Sequence, residues 1–241
     1  MSALFLKVIA YASMIIDHIG LLSDLPDAVS VIFRCVGRIS FPLFAFMICE
    51  GYKHTKNKLL YLVRLVTVGI ITVIPYSLCF YSTALYFQKF NVMFTLAAGL
   101  ICIMLTETLQ NKFEKSSRFA YLAASSAALI ATVVIAHICG ILGVDYGAWG
   151  VLLIYSLYLC RDRKAIQALI IVLFACENLP YIILNASELD ESSLIMISAS
   201  FSIIPILIYN GKQGYSERSR LVKYLFYAIY PLHLLVFWFV L

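Results

Sequence analysis

An all-α, polytopic membrane bundle is the fold this sequence predicts, and three observations predict it. Of 241 residues, 63% are hydrophobic and only 13% charged, with a mean hydropathy of +0.94. That is more apolar surface than a water-soluble chain of this size can bury. Apolar windows of helical length recur from one end of the chain to the other, and the basic residues collect in the short segments between them. The pI near 8.8 is therefore a loop property and not a nucleic-acid signature.

Nine windows follow in order: 3–22, 28–52, 58–80, 92–110, 118–142, 146–160, 164–186, 191–210 and 221–241. The first lacks a basic leader and runs into DHIGLLSDLP rather than a small-x-small cleavage site, so it is expected to stay as the first transmembrane helix. The second carries Arg34, Arg38 and Glu50 inside an apolar run, and Pro42 removes the amide that would bond the carbonyl of Arg38. A bent, charged span lining a cavity is the expectation; a structural ion pair with one snorkelling arginine is its bland counterpart. The sixth window follows the turn GILGVDYGAWG and is short for a crossing, which suits a tilted or re-entrant helix. No internal repeat interrupts the series, and residues 1–241 read as one integral-membrane domain.

Loop charge sets the orientation. Lys7, Lys53, Lys56, Lys58, Lys112, Lys115, Arg118, Arg161, Arg163, Lys164, Lys212, Arg218, Arg220 and Lys223 fall on one side, against Lys89 alone on the other. The amino terminus is expected in the cytoplasm and the carboxyl terminus outside, which nine crossings satisfy and eight do not. The address that follows is a multi-pass position in a membrane with the basic loops on its cytoplasmic side.

A rise of about 1.5 Å per residue converts position into depth. His18, Arg38, Glu177 and His233, from four different windows, then reach similar levels in the middle to outer half of the bilayer. His18 is the candidate general base, since histidine alone titrates near neutrality without special tuning. Asp17 is next to it, but helical neighbours point about 100° apart, so Asp17 is expected to meet either another helix or the outer vestibule. Lys7 and His18 form the pattern [RK]-x10-H, found in the first helix of a large class of membrane acyltransferases. His233 follows Pro231 and reads as either a second acid/base or a hydrogen-bonded anchor. Glu177, before Asn178 and Pro180, is expected to pair with Arg34 or Arg38. Glu50 and Arg64, nearer the cytoplasmic face, are expected to pair with each other. His54, in the basic loop KHTKNK, is a candidate phosphate contact or simply a solvated side chain, and His137 reads as interfacial.

Seven scattered cysteines with no C-x-x-C spacing indicate neither a disulfide framework nor zinc, and four dispersed histidines make no metal site. P-loop, dinucleotide and G-x-S-x-G fingerprints are absent.

Seven ordered stretches carry a family resemblance: MIIDHIG, GRISFPLFAFMICEGYKHT, YLVRL with IPY, NVMFTL, DYGAWGVL, IYNGKQG and KYLFYAIYPLHLL. Over nearly its whole length the chain resembles the TraX family of membrane acetyltransferases, named for the conjugation protein that acetylates the amino terminus of F-type pilin. The resemblance points at Asp17, His18, Arg38, Glu50, Asn91, Asp145, Tyr146 and His233. It implies acetyl-CoA as co-substrate, with no permanently bound cofactor, and an extracytoplasmic glycan or peptide as acceptor. The expected roles are catalysis by His18, Arg38, Asp17 and His233, and cofactor binding by Lys7, Arg34, Glu50, His54 and Arg64. Asn91, Asp145, Tyr146 and Glu177 are expected at the acceptor. A lipid bilayer is the expected surrounding, nucleic acid is not an expected partner, and a homodimer is allowed. A proton-coupled small-molecule transporter and a non-enzymatic membrane subunit are the competing readings.

Overall fold

The computed structural model describes residues 1–177, 191–212 and 220–240. Among them every regular element is helical: α1 Ala3–Leu22, α2 Asp27–Gly37, α3 Ser40–His54, α4 Lys58–Tyr81, α5 Val92–Phe113 and α6 Arg118–Ile141. These are followed by α7 Gly147–Leu159, α8 Lys164–Ala175, α9 Glu191–Ile197, a 3-10 segment Ser198–Ser202, α10 Ile203–Ile208 and α11 Arg220–Val240. Among the described residues, six stretches are long and apolar enough to cross a bilayer: Ala3–Leu22, Asp27–His54 counted across its break, Lys58–Tyr81, Val92–Phe113, Arg118–Ile141 and Glu191–Ile208. Gly147–Leu159, Lys164–Ala175 and Tyr224–Val240 are shorter apolar helices. This is a helical membrane protein. Ile70, Ile71 and Ile74 on α4 and Ile130, Val133 and Val134 on α6 stay exposed, as a lipid-facing surface requires.

Three expectations change. The window 28–52 is two helices, because the chain leaves helical bonding at Arg38 and Ile39. Pro42 then sits in the first turn of α3, where its missing amide costs nothing. The window 191–210 is an α-helix, a 3-10 turn and a second short α-helix, with the tight turn at the serine-rich SASFS. In the window 164–186 the described helix stops at Ala175; Asn178, Pro180, Glu188 and Asp190 lie outside the described residues, as does Arg218.

The helices form two compact units, Met1–Met47 with Cys160–Leu241, and Ile48–Leu159, so α3 contributes its first half to one and its second half to the other. In the first unit α1 and α2 run antiparallel at close range. Ser30 Oγ bonds the Gly20 carbonyl at 2.5 Å, and an added Cβ on Gly37 would stand 2.1 Å from that of Asp17. Helices α1 and α11 run parallel in strict register. Tyr11 donates its hydroxyl to the Phe226 carbonyl at 2.6 Å, and seven residues further along each helix His18 meets His233. Seven residues are close to two turns, which returns a side chain to the same face. The same unit ties together the start of α1, the start of α8 and the end of α10. The Met1 ammonium donates to the Ile208 carbonyl, Asn210 N–H donates to Met1, and Lys164 Nζ caps the carbonyls of Leu207 and Tyr209.

The second unit packs α5 against α4, α6 and α7. Its core holds Ala98, Cys102, Ala136, Cys139, Val144, Val151 and Tyr155, so two of the cysteines act as small apolar filler. The hydroxyls of Thr72, Thr106 and Thr132 each bond the carbonyl one turn earlier, the local solution for a hydroxyl inside an apolar helix. A single bridge pairs Phe90 with Val144 ahead of α5 and α7. Beside it Gly143 takes φ +66°, and its missing side chain leaves room for the Gln88 carbonyl, 2.2 Å from where a Cβ would be.

Candidate functional site

The first unit gathers ionisable side chains from three helices. Asp17, on the buried face of α1 and 8% exposed, receives both arginines of α2. Arg34 Nη1 donates to Asp17 Oδ2 at 3.0 Å; Arg38 Nη2 donates to Oδ1 at 2.9 Å and Oδ2 at 2.8 Å. The spacing of four brings both guanidiniums onto one face of α2. Gly37 between them lets the Asp17 side chain lie directly on the α2 backbone. Arg38 is the C-cap of α2, so its guanidinium is carried where helical bonding ends. Two cations and one anion leave these three side chains with one net positive charge.

The adjacent residue faces elsewhere, as the helical wheel requires. His18 Nδ1 lies 2.9 Å from His233 Nε2, with the two ring planes within 2° of parallel. Phe237 stands edge-on to both rings, at 88° to His18 and 87° to His233. His233 is buried, and its Nδ1 lies 3.0 Å from the carbonyl of Ile229, one turn earlier on α11. Lys7, nearer the start of α1, holds its ammonium 5.8 Å from the Phe226 ring, on the same α1–α11 seam.

Of the expected site residues, the structure thus brings together Asp17, Arg34 and Arg38 in one group and His18 and His233 in another, both in the first unit. Two expected pairings are corrected. Glu177 does not take Arg34 or Arg38, because Asp17 lies closer on the antiparallel neighbour α1; the Glu177 Oε2 is buried with no hydrogen-bond partner among the described residues. Glu50 does not pair with Arg64; one helical turn brings it His54, at 3.7 Å.

The remaining candidates belong to the second unit. Asn91 is fully buried, caps α5 by accepting from Met93 N–H at 3.1 Å, and donates to the Gly69 carbonyl of α4 at 2.9 Å. Asp145 is exposed, and its Oδ1 accepts from Tyr146 N–H at 3.1 Å; Tyr146 adopts φ +58°. Thr95 donates to the Asp145 carbonyl. His137 is exposed on α6, in keeping with an interfacial position.

Two contributors escaped the sequence reading. The α1–α11 anchor Tyr11 was legible in principle, because Tyr11 precedes His18 by the same seven residues that separate Phe226 from His233. The Ile229 carbonyl left no signal, since any residue supplies a carbonyl.

Comparison with known proteins converges on one family. A family model described as TraX protein matches residues 2–241. A "Probable fimbrial assembly protein FimC, serogroup H1" of Dichelobacter nodosus is 31% identical over an alignment of 249 residues, covering 97% of this chain and 93% of the relative. No solved structure matches. With the match running from the second residue to the last, this chain belongs to the TraX family.

Proposed function

We propose that this protein is an acetyltransferase of the bacterial cytoplasmic membrane, moving an acetyl group from cytosolic acetyl-CoA to a hydroxyl or amine acceptor reached from the outer side. The observation that carries the reading is the convergence, inside apolar helices of one unit, of a histidine pair and an aspartate with two arginines. Ionisable groups are costly at that depth and are retained where they act.

In this reading His18 takes the proton of the acceptor as its oxygen or nitrogen attacks the thioester carbonyl. The oxyanion of the tetrahedral intermediate develops against the guanidinium of Arg38, which Asp17 holds in place so that little reorganisation is needed during the reaction. The C–S bond then breaks, and the proton on His18 passes to the departing thiolate. Lys7, at the start of α1, would meet the nucleotide phosphates.

Nine crossings with the amino terminus inside complete the proposal. Its support is the parallel α1 and α11: helices that share a direction enter from the same side, so their far ends share the other. Lys7, Lys164 and Lys212 also fall at one end of the first unit, as positive loops on the cytoplasmic side should.

The relative's printed name favours a second reading, a subunit of a fimbrial assembly apparatus with no chemistry of its own. Purified full-length protein incubated with acetyl-CoA and membrane-extracted acceptor separates the two. Release of free thiol that disappears in His18→Ala supports the transferase, whereas equal thiol release by wild type and His18→Ala removes it. A proton-coupled transporter would move its substrate with no thiol released.

A further inference from the structure

We propose that His233 is a positioning residue that fixes the tautomer of His18, making Nε2 of His18 the nitrogen that accepts the proton; this rests on the reading of His18 as general base. The inference starts from the one partner whose role is not negotiable. A carbonyl oxygen only accepts hydrogen bonds, so the contact of His233 Nδ1 with the Ile229 carbonyl at 3.0 Å requires the proton on Nδ1. In the neutral ring Nε2 of His233 then carries a lone pair. His18 Nδ1, 2.9 Å away, must donate to it. With its proton committed to Nδ1, His18 carries its own lone pair on Nε2, at the opposite side of the ring from His233.

The chain of donors therefore runs from His18 to His233 to the backbone of α11. It does for His18 what a carboxylate does for a catalytic histidine elsewhere, with no charge to bury in an apolar helix. The neutral version suits this position, because the nearby Asp17 already serves two arginines. Phe237, perpendicular to both rings, and the Tyr11 bond to Phe226 two turns away keep α1 and α11 in the register that the pair needs.

The chain has four histidines, so a histidine-selective nitrogen-15 spectrum of the full-length protein in lipid nanodiscs is simple enough to assign by substitution. At mildly alkaline pH, two of the four should appear as Nδ1–H tautomers, the form a solvated histidine side chain disfavours; a His18 substitution should remove one of the two signals, His233→Gln one and His233→Leu both. His233→Leu offers no acceptor, so His18 should revert to Nε2–H and thiol release should fall on the order of 100-fold. In His233→Gln the amide oxygen takes the place of Nε2, so His18 should keep its Nδ1–H signal and most of its activity. A wild-type His18 in the Nε2–H form overturns the proposal even where acetyl transfer is observed. Two Nδ1–H histidines with no thiol release leave the relay standing and sink the transferase reading instead.

Discussion

Asp17 rests on Gly37: the aspartate side chain occupies the volume that any larger residue at position 37 would need. The contact brings α1 and α2 close enough for one carboxylate to receive two guanidiniums, so a glycine with no chemistry of its own sets the geometry of the charged group beside it. Gly37→Ala should force the helices apart, cost about 1–3 kcal/mol and weaken both arginine bonds. Thermal unfolding in detergent is the check; an unchanged midpoint would mean that the helices are not held at this distance.

Asp17→Asn keeps the shape and removes the charge, leaving two buried cations facing a neutral amide. Breaking a buried pair in this way costs about 3–5 kcal/mol. Adding Arg34→Gln to Asp17→Asn should recover part of the loss, because one unmatched charge goes with it. If the double variant is as unstable as the sum of the two single ones, Arg34 and Asp17 are not coupled.

Tyr11→Phe removes one buried hydrogen bond to the Phe226 carbonyl and should cost about 1 kcal/mol. It should also loosen the α1–α11 register, and with it the His18 to His233 contact. A cysteine pair at the outer ends of the two helices reads the effect: the rate of oxidative cross-linking should change in Tyr11→Phe and not in Tyr121→Phe, a residue of α6 in the other unit.

Asn91 holds α4 and α5 together through two backbone contacts. Asn91→Ala should therefore lower stability by about 1–3 kcal/mol, from the lost cap and the stranded Gly69 carbonyl. The Michaelis constant for acetyl-CoA should not move with it. A shift in that constant at unchanged stability would instead assign Asn91 to the substrate.

Orientation is open to reporter fusions. Alkaline phosphatase joined after Leu241 should be active and a fluorescent protein joined there dark, whereas a fluorescent protein in the loop after Lys112 should be bright. The opposite pattern at the carboxyl terminus would reduce the crossings to an even number.

The helices were readable because each is an apolar run closed by capping or charged residues. Asn57, Asn91 and Ser117 each cap a helix that begins at the next residue, and the windows begin within a residue or so of those helices. What hydropathy cannot register is a change of hydrogen-bonding pattern inside an apolar run. The 3-10 stretch Ser198–Ser202 passed as a continuous span for that reason, and the break at Arg38–Ile39 was legible only as a bend attributed to Pro42. Depth arithmetic placed His18 and His233 at one level but could not say that they touch, since azimuth depends on which helices are neighbours. It misassigned the arginines for the same reason: Glu177 and Asp17 were both at reach by depth, and only the tight α1–α2 seam decides for Asp17.

Parallel α1 and α11 also have a bearing on biosynthesis. Tyr11 and His18 leave the ribosome early and Phe226 and His233 close to the end, so the two imidazoles meet only after every intervening helix has been delivered to the membrane. A stop codon between residues 38 and 233 would leave a polypeptide with Asp17, Arg34 and Arg38 present and His18 without His233. If the imidazole pair is needed for acetyl transfer, truncated proteins ending between residues 38 and 233 should all behave alike in thiol release.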